Sequence, residues 1–453
     1  MAADSELPIS DAEADAAFAM LARFDRLVLA VSGGPDSMAL MALAAAWCAR
    51  AARPTPNISV VTVDHGLRAE SRREAQMVAA EARRLRLPHA VLTWSGLKPQ
   101  TGLPMAAREA RYRLLEDHAA ALGVGAERAA IVTAHHRDDQ AETFAMRLAR
   151  GAGIDGLSGM RNVRPLRDGV GIVLARPLLA FPKARLVATL DARGIPFVED
   201  PTNGDHRYER ARVRSRLADL AVAGLSAHAF ATSARRLNDA RDALAYAESV
   251  FVASLSLSFG NEVFACFDRR AFENGPVFLR QKLMARLIGR YGGASPDPRL
   301  SEIEDLVARM QRDGASSATL GGAQISCGPR AIRVWREAGR LDQAPVELSP
   351  GARHVWDGRF VLRWRAEMAT LSPPREAPIV MVKPLGAKGY AAILSRLAAR
   401  SRPPARAAFA LPSFWTAEKL VAVPSLAPFA LRDAPPLDPA GFELNPLPNS
   451  APF

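Results

Sequence analysis

The first two hundred positions alternate short apolar runs with stretches of helical periodicity. Residues 27–32 (LVLAVS), 59–64 (SVVTVD), 90–94 and 129–135 (AAIVTAH) predict buried strands, with residues 171–179 as a further one. Helical patterns over 37–50, 71–85 and about 139–150 fall between them. Strands apolar on both faces and separated by helices predict a parallel sheet covered on two sides, a doubly wound α/β domain. Ligands of such sheets bind beyond the carboxyl ends of the strands, so the residues just after each strand matter most.

The pattern changes after position 200. Residues 206–220 are rich in arginine, 226–255 read as one long alanine-rich helix, and 277–290 and 299–312 as further helices. Residues 319–337 predict a β-hairpin, with Gly and Pro between alternating runs. Between 346 and 426, strand-like pieces such as 360–364 and 420–423 mix with one helix near 390–400. Beyond about 433 the chain is rich in proline, which predicts poor order. The expected organisation is a doubly wound parallel-sheet domain over 1–216, a mostly helical middle domain over 217–340, and a small α+β C-terminal domain over 341–453.

Composition narrows the class. The 453 residues carry a net charge of +12, mostly through arginine. Arginine's flat fork suits phosphates and stacks on bases, so the excess points to a polyanionic partner. A GC-rich genome explains the choice of arginine, and the net excess less well. Cys48, Cys266 and Cys327 are scattered and form no CxxC pair, which argues against a zinc or iron–sulfur site. No apolar run is long enough to span a bilayer, and the first twenty residues lack the pattern of a secretory signal. A soluble, cytoplasmic protein with no membrane partner is therefore expected.

Candidate chemistry gathers at the strand ends. Ser32-Gly33-Gly34-Pro35-Asp36-Ser37 closes the first strand and opens a helix. Its glycines and serine let successive backbone N–H groups turn inward, making an anion nest topped by a helix N-terminus. No lysine precedes the final serine, so this is not a Walker A loop. After the second strand, Asp64, His65 and Gly66 read equally as an ordinary turn or as part of a ligand pocket. After the fourth, AHHRDDQAET places His135, His136, Asp138 and Asp139 together. Asp139 with Glu142 forms a variant of the capping box, which explains part of the stretch but not two adjacent histidines and a second acid. These suit contacts to a nucleotide or base better than a metal.

Three further stretches complete the set. Arg108 and Arg111 lie three apart on one helical face, suited to gripping phosphates or simply to facing solvent. Residues 150–160 (RGAGIDGLSGM) contain a GxGxxG that follows a helix, so it is no dinucleotide fingerprint. Arg207, Arg210, Arg212, Arg214 and Arg216, read as lacking matching acids, predict a phosphate track.

The SGGPDS loop resembles that of the N-type ATP pyrophosphatases, which cleave ATP between the α- and β-phosphates and adenylate a substrate oxygen. Together with AHHRDDQAET, AREARYR at 107–113, the 150–160 loop, and DPTN at 200–203 followed by Arg210 and Arg214, the chain resembles the tRNA(Ile)-lysidine synthetases among them. The likeness is strongest over 27–216 and loosest toward the C-terminus. Ala211 stands where many relatives carry Asn, which puts any role of that Asn in doubt here.

The resemblance implies ATP and Mg²⁺ as cofactors. Ser32, Gly33, Gly34, Pro35 and Ser37 would surround the pyrophosphate, Asp36 would help hold magnesium, and Asp64, His65 and His135 would line the nucleotide. Asp36, Arg108, Arg111, His136, Asp138 and Asp139 would be catalytic. An anionic Asp beside phosphates makes sense only with a cation between them. The implied partners are tRNA(Ile) with a CAU anticodon and free L-lysine; a homodimer stays open. The implied reaction adenylates C2 of the wobble cytidine, and the lysine amine then displaces AMP. Two alternatives remain. A thiolating relative would need paired cysteines that the chain lacks, and a non-catalytic tRNA-binding protein would not need Asp36 and Ser37.

Overall fold

The computed structural model describes residues 7–50, 55–66, 71–96, 98–99, 101–123, 128–166, 171–199, 209–312, 317–342, 344–364, 379–417, 419–431, 433–435, 437 and 442–447. The chain divides into two compact units, Met1–Leu244 and Ala245–Phe453.

In the first unit, β1 (Arg26–Ala30), β2 (Asn57–Asp64), β3 (His89–Thr93), β4 (Ala129–Val132), β5 (Val163–Pro165) and β6 (Val173–Ala175) form one sheet, ordered β3-β2-β1-β4-β6-β5. All neighbours pair in parallel except β5, which lies antiparallel on β6. The strand expected over 171–179 is thus shorter, and its edge partner is new. A three-residue edge strand ending in proline carries too little alternation to be read beforehand.

The helices of this region are α1 (Asp11–Phe18), α2 (Pro35–Arg50), α3 (Ser71–Arg84), α4 (Leu103–Ala121), α5 (Arg137–Leu148), α6 (Ile154–Leu157), α7 (Lys183–Arg193), α8 (Glu209–Val222) and α9 (Ala227–Ser254). Successive side chains of a strand point to opposite faces. Leu27 and Leu29 accordingly pack with Met38, Leu40 and Leu43 of α2 and Leu186 of α7. Val28, between them, joins Val61, Ile131 and Leu115 of α4 on the other face. Each fully buried Leu contributes about 2 kcal/mol, so the LVLA run is what makes β1 the centre of the sheet. The chain leaves β1 for β2 and β3 on one side, then returns to β4 on the other. That reversal opens a crevice beyond the ends of β1 and β4.

In the second unit, β7 (Phe264–Asp268), β8 (Ser317–Leu320), β9 (Ala323–Cys327) and β10 (Ala331–Arg336) form an antiparallel sheet, ordered β7-β10-β9-β8. The predicted hairpin is its centre, extended by a strand on each edge. α10 (Arg269–Asn274), α11 (Val277–Tyr291) and α12 (Leu300–Arg312) accompany it, and Leu283, Leu287, Leu306 and Met310 pack in its core. β11 (Val346–Leu348), β12 (Arg353–Trp356), β13 (Phe360–Trp364), β14 (Val380–Pro384), β15 (Pro412–Thr416), β16 (Lys419–Ala422) and β17 (Phe442–Pro446) form two more sheets, β11-β14-β15-β16 and β12-β13-β17. α13 (Gly386–Ile393) and α14 (Ala405–Phe409) complete the unit.

Residues 442–447 differ from the poor order expected of the tail: β17 pairs antiparallel with β13, and Phe442 packs on Phe414 at 4.6 Å between ring centroids. One aromatic residue anchored in a core outweighs proline-rich surroundings. Among the described residues no single helix is long and apolar enough to cross a membrane.

Candidate active site

The loop after β1 is built to stay open to an anion. Gly33 sits at φ +94°, a conformation L side chains rarely adopt, and its carbonyl accepts from the Val198 N–H at 3.0 Å. Ser37 braces the loop from within. Its hydroxyl donates to the Gly34 carbonyl (2.9 Å) and accepts from the Ser32 N–H (3.1 Å), with Ser32 Oγ at 3.3 Å. Ser37 is buried, so its visible work is to shape the loop. Pro35 opens α2, where its missing N–H leaves no bond unmade.

Asp36 and His136 bring two strand ends together, with Oδ2 and Nε2 3.5 Å apart. His136 Nδ1 lies 3.4 Å from Asp138 Oδ2, and Nε2 lies 3.5 Å from Asp139 Oδ2. Burial opposes charge on this imidazole, but Asp138, Asp36 and Asp139 prevail and push its pKa up to about 10. His135 goes the other way. Burial first, then Arg176, Arg210, Arg108 and His136, hold it well below the ordinary histidine value, and its Nδ1 pairs with Thr133 Oγ1 at 2.8 Å. Adjacent histidines are thus one cationic and one neutral at pH 7.

The capping of α5 corrects the expected one. The helix starts at Arg137 rather than near 139, His136 is the N-cap, and Asp139 accepts from the His136 N–H at 3.0 Å. Glu142 takes no part in the cap. Asp138 accepts from the Lys183 N–H at the start of α7 (2.7 Å). Burial raises its pKa, but His136 and that N–H bring it below the usual carboxylate range.

Asp36 Oδ1 is buried with no hydrogen-bond partner. It fits a single carboxylate ligand of Mg²⁺, which takes one or two carboxylates and completes its shell with phosphates and water. Among the described residues no group of three or more His, Cys, Asp or Glu could hold a metal by itself.

At the end of β2, Asp64 Oδ1 accepts from the Gly66 N–H at 2.8 Å, and Gly66 adopts φ +59°. The ordinary turn is therefore present. His65 rises from it beside Arg111 (Nε2 to Nη2, 3.3 Å) and edge-on to Trp94. Burial, then Arg111, lower its pKa to about 4 against the pull of Asp64, so it is neutral at pH 7. Arg108, one turn along α4, lies over the Tyr112 ring at 5.2 Å.

Sequence reasoning missed Arg176, which directly follows β6. It is buried, its Nη1 donates to the Arg161 carbonyl (2.9 Å), and its Nε has no hydrogen-bond partner. The strand predicted over 171–179 runs past Arg176, and only the shorter β6 puts it at a strand end. Gln140 was missed too. It grips the backbone of Met160 through both amide atoms, at 2.7 and 2.8 Å. That holds the 151–160 loop against α5. A side chain at 159 would be strained there, because its φ is +68° and a Cβ would meet Gln140 Oε1 at 2.7 Å.

The arginine helix corrects a premise. Arg210 and Arg214 do have matching acids. Arg210 Nε and Arg214 Nε each reach a Glu142 oxygen at 2.6 Å, and Arg210 Nη2 reaches Asp139 at 3.0 Å. Glu142 is fully buried beneath them. Residues 210 and 214 lie one turn apart, so one face of α8 meets α5, while Arg212 and Arg216 are exposed. Arg207 and the DPTN segment lie outside the described residues.

A sheet wound both ways from β1, with a glycine-rich SGGxDS loop at its switch point, defines the PP-loop class. A family model described as the PP-loop domain matches residues 9–221. A tRNA(Ile)-lysidine synthase of Bradyrhizobium sp. is 45% identical over 350 residues, covering 73% of this chain and 95% of the relative. That of Bradyrhizobium diazoefficiens is 47% identical, covering 71% and 88%. That of Ruegeria pomeroyi is 37% identical over 400 residues, covering 88% of each. The chain belongs to the tRNA(Ile)-lysidine synthase family.

Proposed function

We propose that the chain ligates free L-lysine to C2 of the wobble cytidine of tRNA(Ile) with a CAU anticodon, using ATP and releasing AMP and pyrophosphate. The names of its relatives support the product. The observation that carries the chemistry is the meeting of residues 32–37 with 135–139 at the switch point, where Asp36 and His136 stand 3.5 Å apart.

The C2 oxygen of cytidine is a poor leaving group, and adenylation makes it a good one. In this reading the N–H groups of Gly33 and Gly34 receive the pyrophosphate end of ATP, with Ser37 holding the Ser32 N–H and keeping the nest in shape. Magnesium, when held by Asp36, would neutralise charge on the phosphates. His136, whose charged form Asp138, Asp36 and Asp139 favour, holds these carboxylates in register. His135, with Nδ1 engaged by Thr133, offers Nε2 to the nucleotide or the base. Arg108, Arg111 and Arg176 supply positive charge against the phosphates as it builds.

The attacking amine must be neutral. Asp138, held below the usual range, is a weak base and serves placement. Residues 217–340 and 341–453 would grip the body of the tRNA, and the exposed Arg212 and Arg216 its phosphates near the anticodon. A thiolating reading has no support, since Cys48, Cys266 and Cys327 are free and scattered.

The test is purified protein with ATP, radiolabelled lysine and isoleucine tRNA transcript. Label entering the RNA only when all three are present supports the proposal, and no label rejects it. Undiminished labelling by Asp36→Asn would reject the site.

A further inference from the structure

The second unit holds a buried cation with no ion-pair partner of its own among the described residues. Arg359, in the turn between β12 and β13, is 8% exposed. Its Nη2 donates to the Glu262 carbonyl at 3.1 Å, and its guanidinium lies over the Phe360 and Tyr291 rings, at 4.7 and 5.5 Å from the centroids. The neighbouring carboxylates are committed elsewhere. Asp357 forks onto Arg336 at 2.6 and 2.8 Å. Glu262 accepts from Arg290 Nε at 3.0 Å and pairs with its Nη2. Among the described residues of this cluster, three guanidinium groups face two carboxylates, which leaves one positive charge over.

Burying a cation without a counter-charge is strongly unfavourable. Burial pulls the Arg359 pKa down to about 10 despite Asp357. Yet the fork is not sealed. An open recess with about 20 Å³ of enclosed room lies beside it, lined by Glu262, Arg290, Gly358, Arg359, Phe360 and Leu447. The backbone that shapes it is held in an uncommon state. Asn261 (φ 52°), Glu262 (φ 64°) and Asp357 (φ 49°) are all left-handed without being glycine. Such conformations persist only where the surroundings hold them, and they gather at functional positions.

We infer that this recess is an oxyanion site in which a single phosphate group binds the fork of Arg359. Most of the five N–H donors of a guanidinium remain for a bidentate oxyanion after one is given to the Glu262 carbonyl. The Glu262 carboxylate, neutralised by Arg290, does not repel the ligand. The phosphate has two sources: an internucleotide phosphate of bound RNA, or free phosphate.

The experiment titrates the full chain with inorganic phosphate at constant ionic strength against chloride, with an ATP analogue saturating the loop at 32–37. Thermal stability and the ³¹P line width are followed. Saturable stabilisation is expected in the wild type and is lost in Arg359→Gln. Arg359→Lys, which keeps the charge without the fork, is expected to fall between, and it replaces the Gln variant should that one fail to fold. A dissociation constant for tRNA raised about tenfold in the variant, with phosphate competing, identifies the RNA source. Unchanged tRNA affinity with phosphate binding intact in the wild type identifies the free ion. Stabilisation that survives in both variants overturns the inference, as does its absence in the wild type with tRNA affinity unchanged. None of these outcomes depends on lysine transfer.

Discussion

Replacing Glu142 by Gln keeps the side-chain shape and removes the charge that ties α8 to α5. Glu142 is 1% exposed, and its two oxygens each accept from a guanidinium at 2.6 Å, while the Arg210 and Arg214 side chains are 39% and 45% exposed. Breaking a fully buried ion pair costs about 3–5 kcal/mol, and an exposed pair is worth only about 0.2–1 kcal/mol. Here the acid is buried and the arginines can rehydrate, so the value falls between. Glu142→Gln is expected to destabilise the first unit by about 2–3 kcal/mol, in the range of one hydrogen bond to a charged group. Urea unfolding of wild type, Glu142→Gln, Arg214→Gln and the double variant isolates the pair, with a coupling of about 1.5 kcal/mol expected. Hydrogen exchange over α8 should rise in Glu142→Gln before global unfolding. A coupling below about 0.5 kcal/mol would make the bridge an ordinary surface pair and refute the reasoning.

His136 should remain an imidazolium at pH 8.5, seen as an unshifted ring-proton NMR signal, because its pKa is pushed up to about 10. Its folded value lies above the unfolded one, so the stability it provides is complete below about pH 6.5 and is lost as pH climbs through 10. His136→Gln should therefore remove a pH slope of about 1.4 kcal/mol per unit between those limits. Gly33→Ala, forced to φ +94°, should cost at least about 1 kcal/mol and weaken ATP binding more than tenfold by isothermal titration; unchanged affinity would remove the loop from the ATP site. Arg212→Ala and Arg216→Ala should each weaken tRNA binding and lower its salt slope by about 1, leaving the dissociation constant for ATP unchanged. Equal losses for both ligands would count against a phosphate track.

The parts legible beforehand were those with a local cause. β1 is a run of apolar residues, and Gly33 and Gly34 follow it, so the strand, the turn and the helix start could be placed within two residues. The histidines and acids after β4 were visible as a stretch, but their division of labour was not. His136 is a cation because Asp138, two residues on, and Asp36, a hundred residues earlier, both come within 3.5 Å of it. Glu142 was read as a cap because its spacing from Asp139 allows one, and spacing cannot show that Arg210 and Arg214 fold down onto it. β17 was hidden for a similar reason: its pairing partner β13 is nearly eighty residues away, and nothing local marks it.

What the sequence by itself determined is the parallel sheet, the anion-binding turn at its first strand and the family to which the chain belongs. Each rests on short-range rules: side-chain period, turn chemistry, and residue types at fixed spacing. Only the tertiary structure decided protonation, pairing and burial: which histidine is charged, which arginines already hold acids, and that Arg359 lies buried beside a recess. Those properties depend on the field at a point, and the charges that set the field come from segments far apart along the chain.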